Sequence, residues 1–171
     1  VLATVAEVTT GGTRATTLES VLVQVGAAAI TAVDATFGEF TVGDGAASLI
    51  VDDFLFALPG PTVGQTFASL TGVLARRNSN SKLEPRALTD LPAGAAVLAS
   101  LTPPLSFVRV GEVMTPTAPT PLTVSLVAPA ATDTTITITS SDPAALTVTG
   151  GGVTIPAGMT SAQVLVSGLT Q

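Results

Sequence analysis

The chain has 171 residues, a formal net charge of −6 and no Cys, His, Trp or Tyr. Those absences exclude a disulfide framework and a thiolate metal site, and they remove the usual catalytic base and the strongest nucleophile. Hydrophobic residues reach 46% and charged residues only 11%, yet no apolar run approaches the roughly 20 residues that span a bilayer, so no membrane span is expected.

Val1–Val8 alternates loosely and is expected to be an edge strand, followed by a turn or linker at Thr9–Thr13. Val21, Val23 and Val25 alternate with Leu22, Gln24 and Gly26, the period-two pattern of a half-buried strand. Glu39–Val42 and Ser48–Asp52 are short strands, with Gly43-Asp44-Gly45 between them as a hairpin signal. Phe54 and Phe56 share a face if that strand continues, and are read as core; Leu58-Pro59-Gly60-Pro61 breaks it. Within Thr66–Arg77, Phe67, Leu70, Val73 and Leu74 fit a helical stripe, but Gly72, Thr66 and Thr71 disfavour a helix, so the segment is read mainly as strand. Asn78–Ser81 is a loop. Lys82–Leu88 returns as a strand in which Pro85 implies an edge or a bulge.

Residues 92–104, with Pro92, Gly94, Pro103 and Pro104, read as a boundary between a domain at 1–95 and a second at 104–171. Beyond it come Ser106–Val110 and a Pro/Thr-rich stretch at Pro116–Pro121. Strands are expected at Leu122–Val127, Thr134–Thr139, Ala145–Thr149 with Val153–Ile155, and Ala162–Val166, with turns between them. Short strands at this spacing indicate a sandwich. No amphipathic helix is predicted. Beyond Arg109 the chain has no Lys or Arg and only three acids, Glu112, Asp133 and Asp142, so Thr and Ser hydroxyls must keep that part in solution.

Candidate chemistry is sparse. Arg76, Arg77, Lys82 and Arg86 gather around one predicted hairpin and form a weak candidate ligand-binding hairpin. The acidic chain as a whole repels polyanions, so nucleic-acid binding is not expected. Asp52 and Asp53, near Asp44 in sequence, are carboxylates of the kind calcium takes. Neighbouring strand residues point to opposite faces, however, which favours a strand-end charge pair over a metal site. Ser81 beside Lys82 is a poor Ser–Lys dyad, and Ser140-Ser141-Asp142-Pro143 reads as an Asx/Ser turn. No catalytic residue, cofactor or metal site is assigned.

The segments LESVLVQV, GEFTVGDGAASLIVDD, VGQTFASLTGVL and KLEPRALTDL resemble the OB-like domains of bacterial extracellular proteins, which often stand beside secreted nuclease or lamin-tail modules. The segments TITSSDPAALTV and GGGVTIPAGMTSAQVLVSGL resemble the Ig-like repeats of bacterial surface proteins, particularly myxobacterial ones. The resemblances imply an all-β protein in which an OB-like β-barrel precedes an Ig-like β-sandwich. Such repeats continue for two more strands, so the sandwich is expected to be incomplete as given. Val1 is not an initiator Met, which points to a mature or proteolysed piece of a longer precursor.

Neither family carries a catalytic signature. The implied function is a structural or adhesive protein at the outer surface of a bacterium or in its extracellular matrix. Its expected partners are further copies of itself or other surface proteins, through β-strand addition with Val1–Val8 as donor. The alternative is an accessory module of a secreted enzyme, binding nucleic acid or glycan.

Overall fold

The computed structural model describes residues 1–169, and the described residues are all-β apart from one short helix and two single 3₁₀ turns. It divides into two compact units, Val1–Ala95 and Ala96–Gln171.

The first unit is one curled sheet of seven strands: β1 (Leu22–Val25), β2 (Ala28–Asp34), β3 (Glu39–Gly43), β4 (Ser48–Val51), β5 (Thr66–Phe67), β6 (Leu70–Arg77) and β7 (Asn80–Glu84). Their order is β1-β6-β7-β4-β3-β2-β5. β1 and β2 are consecutive in the chain, separated only by Gly26 and Ala27, yet they stand towards opposite ends of that order. One bent strand therefore pairs with β6 through its first half and with β3 through its second, and this closes the sheet on itself. β3–β4 and β6–β7 are antiparallel hairpins, while β4 and β7 run parallel. Counting β1 and β2 as one bent strand and leaving aside the two-residue β5, the curled sheet has five main strands.

Period-two burial builds the interior. β1, β3, β4 and β6 each alternate buried and less buried residues. Their inward side chains, among them Val23, Phe40, Val42, Leu49, Leu70 and Leu74, form one cluster with Ile30, Phe67 and Leu83.

Val1–Val8 is not an edge strand. Only its first residues run beside β1, through a bridge from Leu2 to Gln24 and a hydrogen bond from the Val1 amino group to the Leu22 carbonyl. Then comes α1 (Val5–Val8), a single turn. The Thr4 hydroxyl accepts from the Glu7 amide while the Glu7 carboxylate accepts from the Thr4 amide, a complete capping box. The turn buries Val5 and Val8 in the barrel core. The donor strand expected at Val1–Val8 is thus occupied within its own unit.

Two further readings are corrected. β7 is central, between β6 and β4, not an edge. Pro85 follows its last residue, so no ladder bond is lost. Phe54 is exposed, because β4 ends at Val51 and alternation does not continue; only Phe56 packs against the core.

The second unit holds three small sheets. β10 (Thr123–Leu126) lies between β14 (Ser161–Gln163) and β8 (Leu98–Thr102); β11 (Thr134–Thr137) pairs with β13 (Gly152–Ile155); β15 (Leu165–Gly168) lies between β12 (Leu146–Val148) and β9 (Thr115–Pro116). The predicted strand Ala162–Val166 is split at Val164, and its halves join different sheets, as at the corner of a sandwich. Val124, Leu126, Ala130 and Ile155 form the core, with Val164 and Val166 also buried. The predicted boundary at 92–104 contains a strand, β8, and the Pro/Thr-rich stretch begins with another, β9. Ser106–Val110 contributes only isolated bridges, Phe107 to Ala118 and Val110 to Gly168.

Candidate functional site

The four cations of the predicted hairpin do come from β6, β7 and the segment after it, but they do not share one open surface. The β6–β7 turn is made by Asn78 and Ser79, both at positive φ, 49° and 66°. Arg76 projects into solvent and forms no ion pair among the described residues. Arg77 lies with Nε 2.9 Å from Glu84 Oε1, and its guanidinium carbon sits 3.4 Å from the centroid of the Phe54 ring, a cation–π contact. Arg86 forks onto Asp90 through Nε and Nη2 at 2.9 and 2.8 Å. Any anionic ligand would have to displace a carboxylate at all of these except Arg76.

Lys82 occupies the most unusual position. Side chains of Lys82 and Glu84 leave the outer face of β7, alternating with Leu83, which enters the core. That outer face is covered, and β7 is buried from Ser81 to Glu84. Lys82 is only 2% exposed. Its Nζ donates to Asp52 Oδ2 at 3.0 Å and to Glu39 Oε1. The parallel β4–β7 pairing sets Ile50 opposite Lys82. Asp52, two residues on, therefore reaches Lys82 diagonally along the same face. Glu39 opens β3 on the far side of β4.

Burial penalises the Lys82 ammonium, but its hydrogen bonds to Glu39 and Asp52 outweigh that penalty and hold its pKa above the ordinary lysine value. Burial pushes the Glu84 carboxyl up; Arg77 opposes this and the charge of Asp52 adds to it. Glu84 Oε1 makes no hydrogen bond despite the nearby Arg77. Three carboxylates, the buried Lys82 and the partly exposed Arg77 therefore share one strip across β3, β4, β7 and β6.

The remaining candidates lie elsewhere. Asp44 Oδ1 accepts from the amides of Ala46 and Ala47, closing its own turn, and these bonds lower its pKa. Asp53 is exposed, while Asp52 is turned towards Lys82. Ser81 and Lys82 face opposite sides of β7; the Ser81 amide donates to Thr10 Oγ1. Asp142 Oδ1 accepts from the Ala144 and Ala145 amides and the Asp142 amide donates to Ser140 Oγ, forming the predicted Asx/Ser turn.

Sequence reasoning missed Glu39 and Glu84 and did not connect Asp52 to Lys82. The one available signal was that Lys82, the sole lysine, alternates with Leu83 in a segment read as strand. No family model, curated protein or solved structure matches the chain.

Proposed function

We propose that this chain is a non-catalytic structural or adhesive protein of the bacterial cell surface or extracellular matrix, and that it self-associates through β-strand addition. The observation that carries the reading is β8. It pairs with β10 on one side only, and among the described residues no strand pairs its other side. Leu101 stands opposite Val124 and Leu98 opposite Leu126, so both leucines lie on the face that buries Val124 and Leu126. Leu98 and Leu101 are nevertheless about half exposed. Natural edge strands are usually protected by a Lys, a Pro or a bulge that turns them aside. β8, Leu-Ala-Ser-Leu-Thr, carries no charge and no Pro, and its one irregularity is a register shift against β10 between Ser125 and Leu126.

A second copy of the chain is the fitting occupant. Its own β8 is equally uncharged and apolar, and antiparallel pairing would satisfy both edges and cover both pairs of leucines. Support for an extracellular setting comes from the OB-like and Ig-like resemblances and from the low charge. The test is sedimentation over a range of concentrations for the wild type and for Leu98→Lys/Leu101→Lys, with circular dichroism as the control for folding. Concentration-dependent association that weakens in the variant supports the reading. A wild type that stays monomeric at high concentration overturns it.

A further inference from the structure

The Lys82 cluster points to chemistry that an ion pair alone does not require. We infer that Lys82 and Asp52 are the reactants of an intramolecular amide cross-link, with Glu39 as the group that shuttles the proton. The inference stands apart from the edge-strand reading, since it concerns only the first unit.

Three observations carry it. First, the reacting groups are already placed. Lys82 Nζ is 3.0 Å from Asp52 Oδ2, so the carboxyl carbon is one bond beyond the contact. Held geometry of this kind replaces a bimolecular encounter. Both strands are fixed by backbone pairing, Ile50 and Val51 against Lys82 and Leu83, and the Asp52 amide donates to the Leu83 carbonyl at 2.9 Å. Second, a third group contacts the same nitrogen. Glu39 accepts from Lys82 Nζ and comes from a different strand, so it is free to exchange a proton without itself being consumed. Third, the cluster is covered. The side chains of Lys82 and Asp52 are 3% and 9% exposed. Burying two opposite charges carries a desolvation cost that their attraction need not repay. Condensation removes both of these charges and releases a water molecule.

Glu39 takes a proton from the Lys82 ammonium, and the neutral nitrogen attacks the Asp52 carboxyl carbon. A carbon–nitrogen bond forms, and one carbon–oxygen bond of Asp52 breaks. Two of the three Nζ protons leave with that oxygen as water, one of them by way of Glu39. The third remains as the amide N–H. Glu39 ends as the carboxylate it began as, and nothing is oxidised or reduced. Because Lys82 rests as an ammonium held by its two partners, the reaction is expected to be slow.

The test is intact mass under denaturing conditions, on freshly purified protein and after prolonged warm incubation. The expected result is a mass lower than the sequence mass by one water. Tryptic digestion should then show no cleavage after Lys82, and residues 78–86 joined to residues 15–76. Lys82→Arg should keep the full sequence mass. Glu39→Gln should slow or abolish the loss while leaving the fold unchanged by circular dichroism. Asp52→Asn supplies an independent signature, because an asparagine donor would lose ammonia in place of water. A wild type that keeps its full mass after incubation overturns the inference, as does a mass loss that maps to other residues. Loss at an unchanged rate in Glu39→Gln overturns the role of Glu39.

Discussion

Asp90 holds Arg86 at three points: its carboxylate accepts from the Arg86 amide at 2.9 Å, from Nε at 2.9 Å and from Nη2 at 2.8 Å. The residues are four apart, and between them the chain turns through the 3₁₀ segment Leu88–Asp90. Asp90 is therefore the clasp that folds the segment after β7 back on itself and lets Leu91 enter the core.

The Arg86 fork, acting against burial, holds the Asp90 carboxyl below the ordinary aspartate range. Near pH 4 the unfolded chain then binds more protons at this site than the folded chain. The stabilisation from Asp90 is fully present above the unfolded value of about 3.9, and it is lost as pH falls through the lower folded value. Asp90→Asn should cost about 1 kcal/mol at neutral pH, a modest figure because the arginine is half exposed. It should also flatten the acid limb of stability. Urea titrations from pH 7 down to pH 3 check both, and an acid limb unchanged in the variant would refute the assignment.

The N-terminal segment is expected to act as a plug of the barrel. Thr4→Ala removes the capping box and should cost about 1 kcal/mol. Val8→Ala, which removes two methyl groups from a fully buried site, should cost about 2 kcal/mol. Equilibrium urea unfolding measures both. A stability unchanged in Val8→Ala would show that the helix does not stay docked in solution.

Much of this fold was legible as period-two alternation. The segments around Val23, Phe40 and Leu49 read as strands because each turns one apolar row inward, whereas the segment around Leu74 also fits a helical stripe and reads as strand because Gly72 and its threonines disfavour a helix. β2 was not legible: its run of Ala, Thr and Val is small and nearly featureless, and it earns its place by pairing with β3 rather than by pattern. α1 was hidden for a different reason. Four residues are too few to show helical periodicity, although Thr4 and Glu7 have the spacing of a capping box. The Lys82 cluster was illegible because Glu39 and Lys82 are 43 residues apart. They meet only through the parallel pairing of β4 with β7, which no local pattern announces. Once β7 is central and its outer face covered, a lysine that reads as solvated must find carboxylates or not be charged.

The cation placement bears on nucleic acid. Arg77 and Arg86 are engaged by Glu84 and Asp90, and Lys82 by Glu39 and Asp52. Only Arg76 is left to contact a phosphate on this hairpin. Single-stranded DNA binding at physiological salt should be weak or absent in fluorescence anisotropy. Salt-dependent binding that disappears in Arg76→Ala/Arg77→Ala would restore the hairpin as a ligand site.

The β6–β7 turn gives the last expectation. A two-residue hairpin loop matches the twist of its strands best when both central residues have positive φ. Asn78 and Ser79 meet that requirement at 49° and 66°. Asparagine tolerates the left-handed region because its short amide can bond locally, whereas the serine hydroxyl does so more weakly. Ser79 is exposed, so its side chain adds little packing to offset the strain. Ser79→Gly should raise stability by about 1 kcal/mol, the gain from relieving one left-handed residue with a side chain less the entropy glycine adds to the unfolded state. Arg77 sits directly before the turn and pairs with Asn80, so the substitution should leave its contacts with Glu84 and Phe54 in place. Thermal and urea unfolding of the single variant give the sign. A loss of stability would mean that the turn does not hold Ser79 in the left-handed conformation in solution.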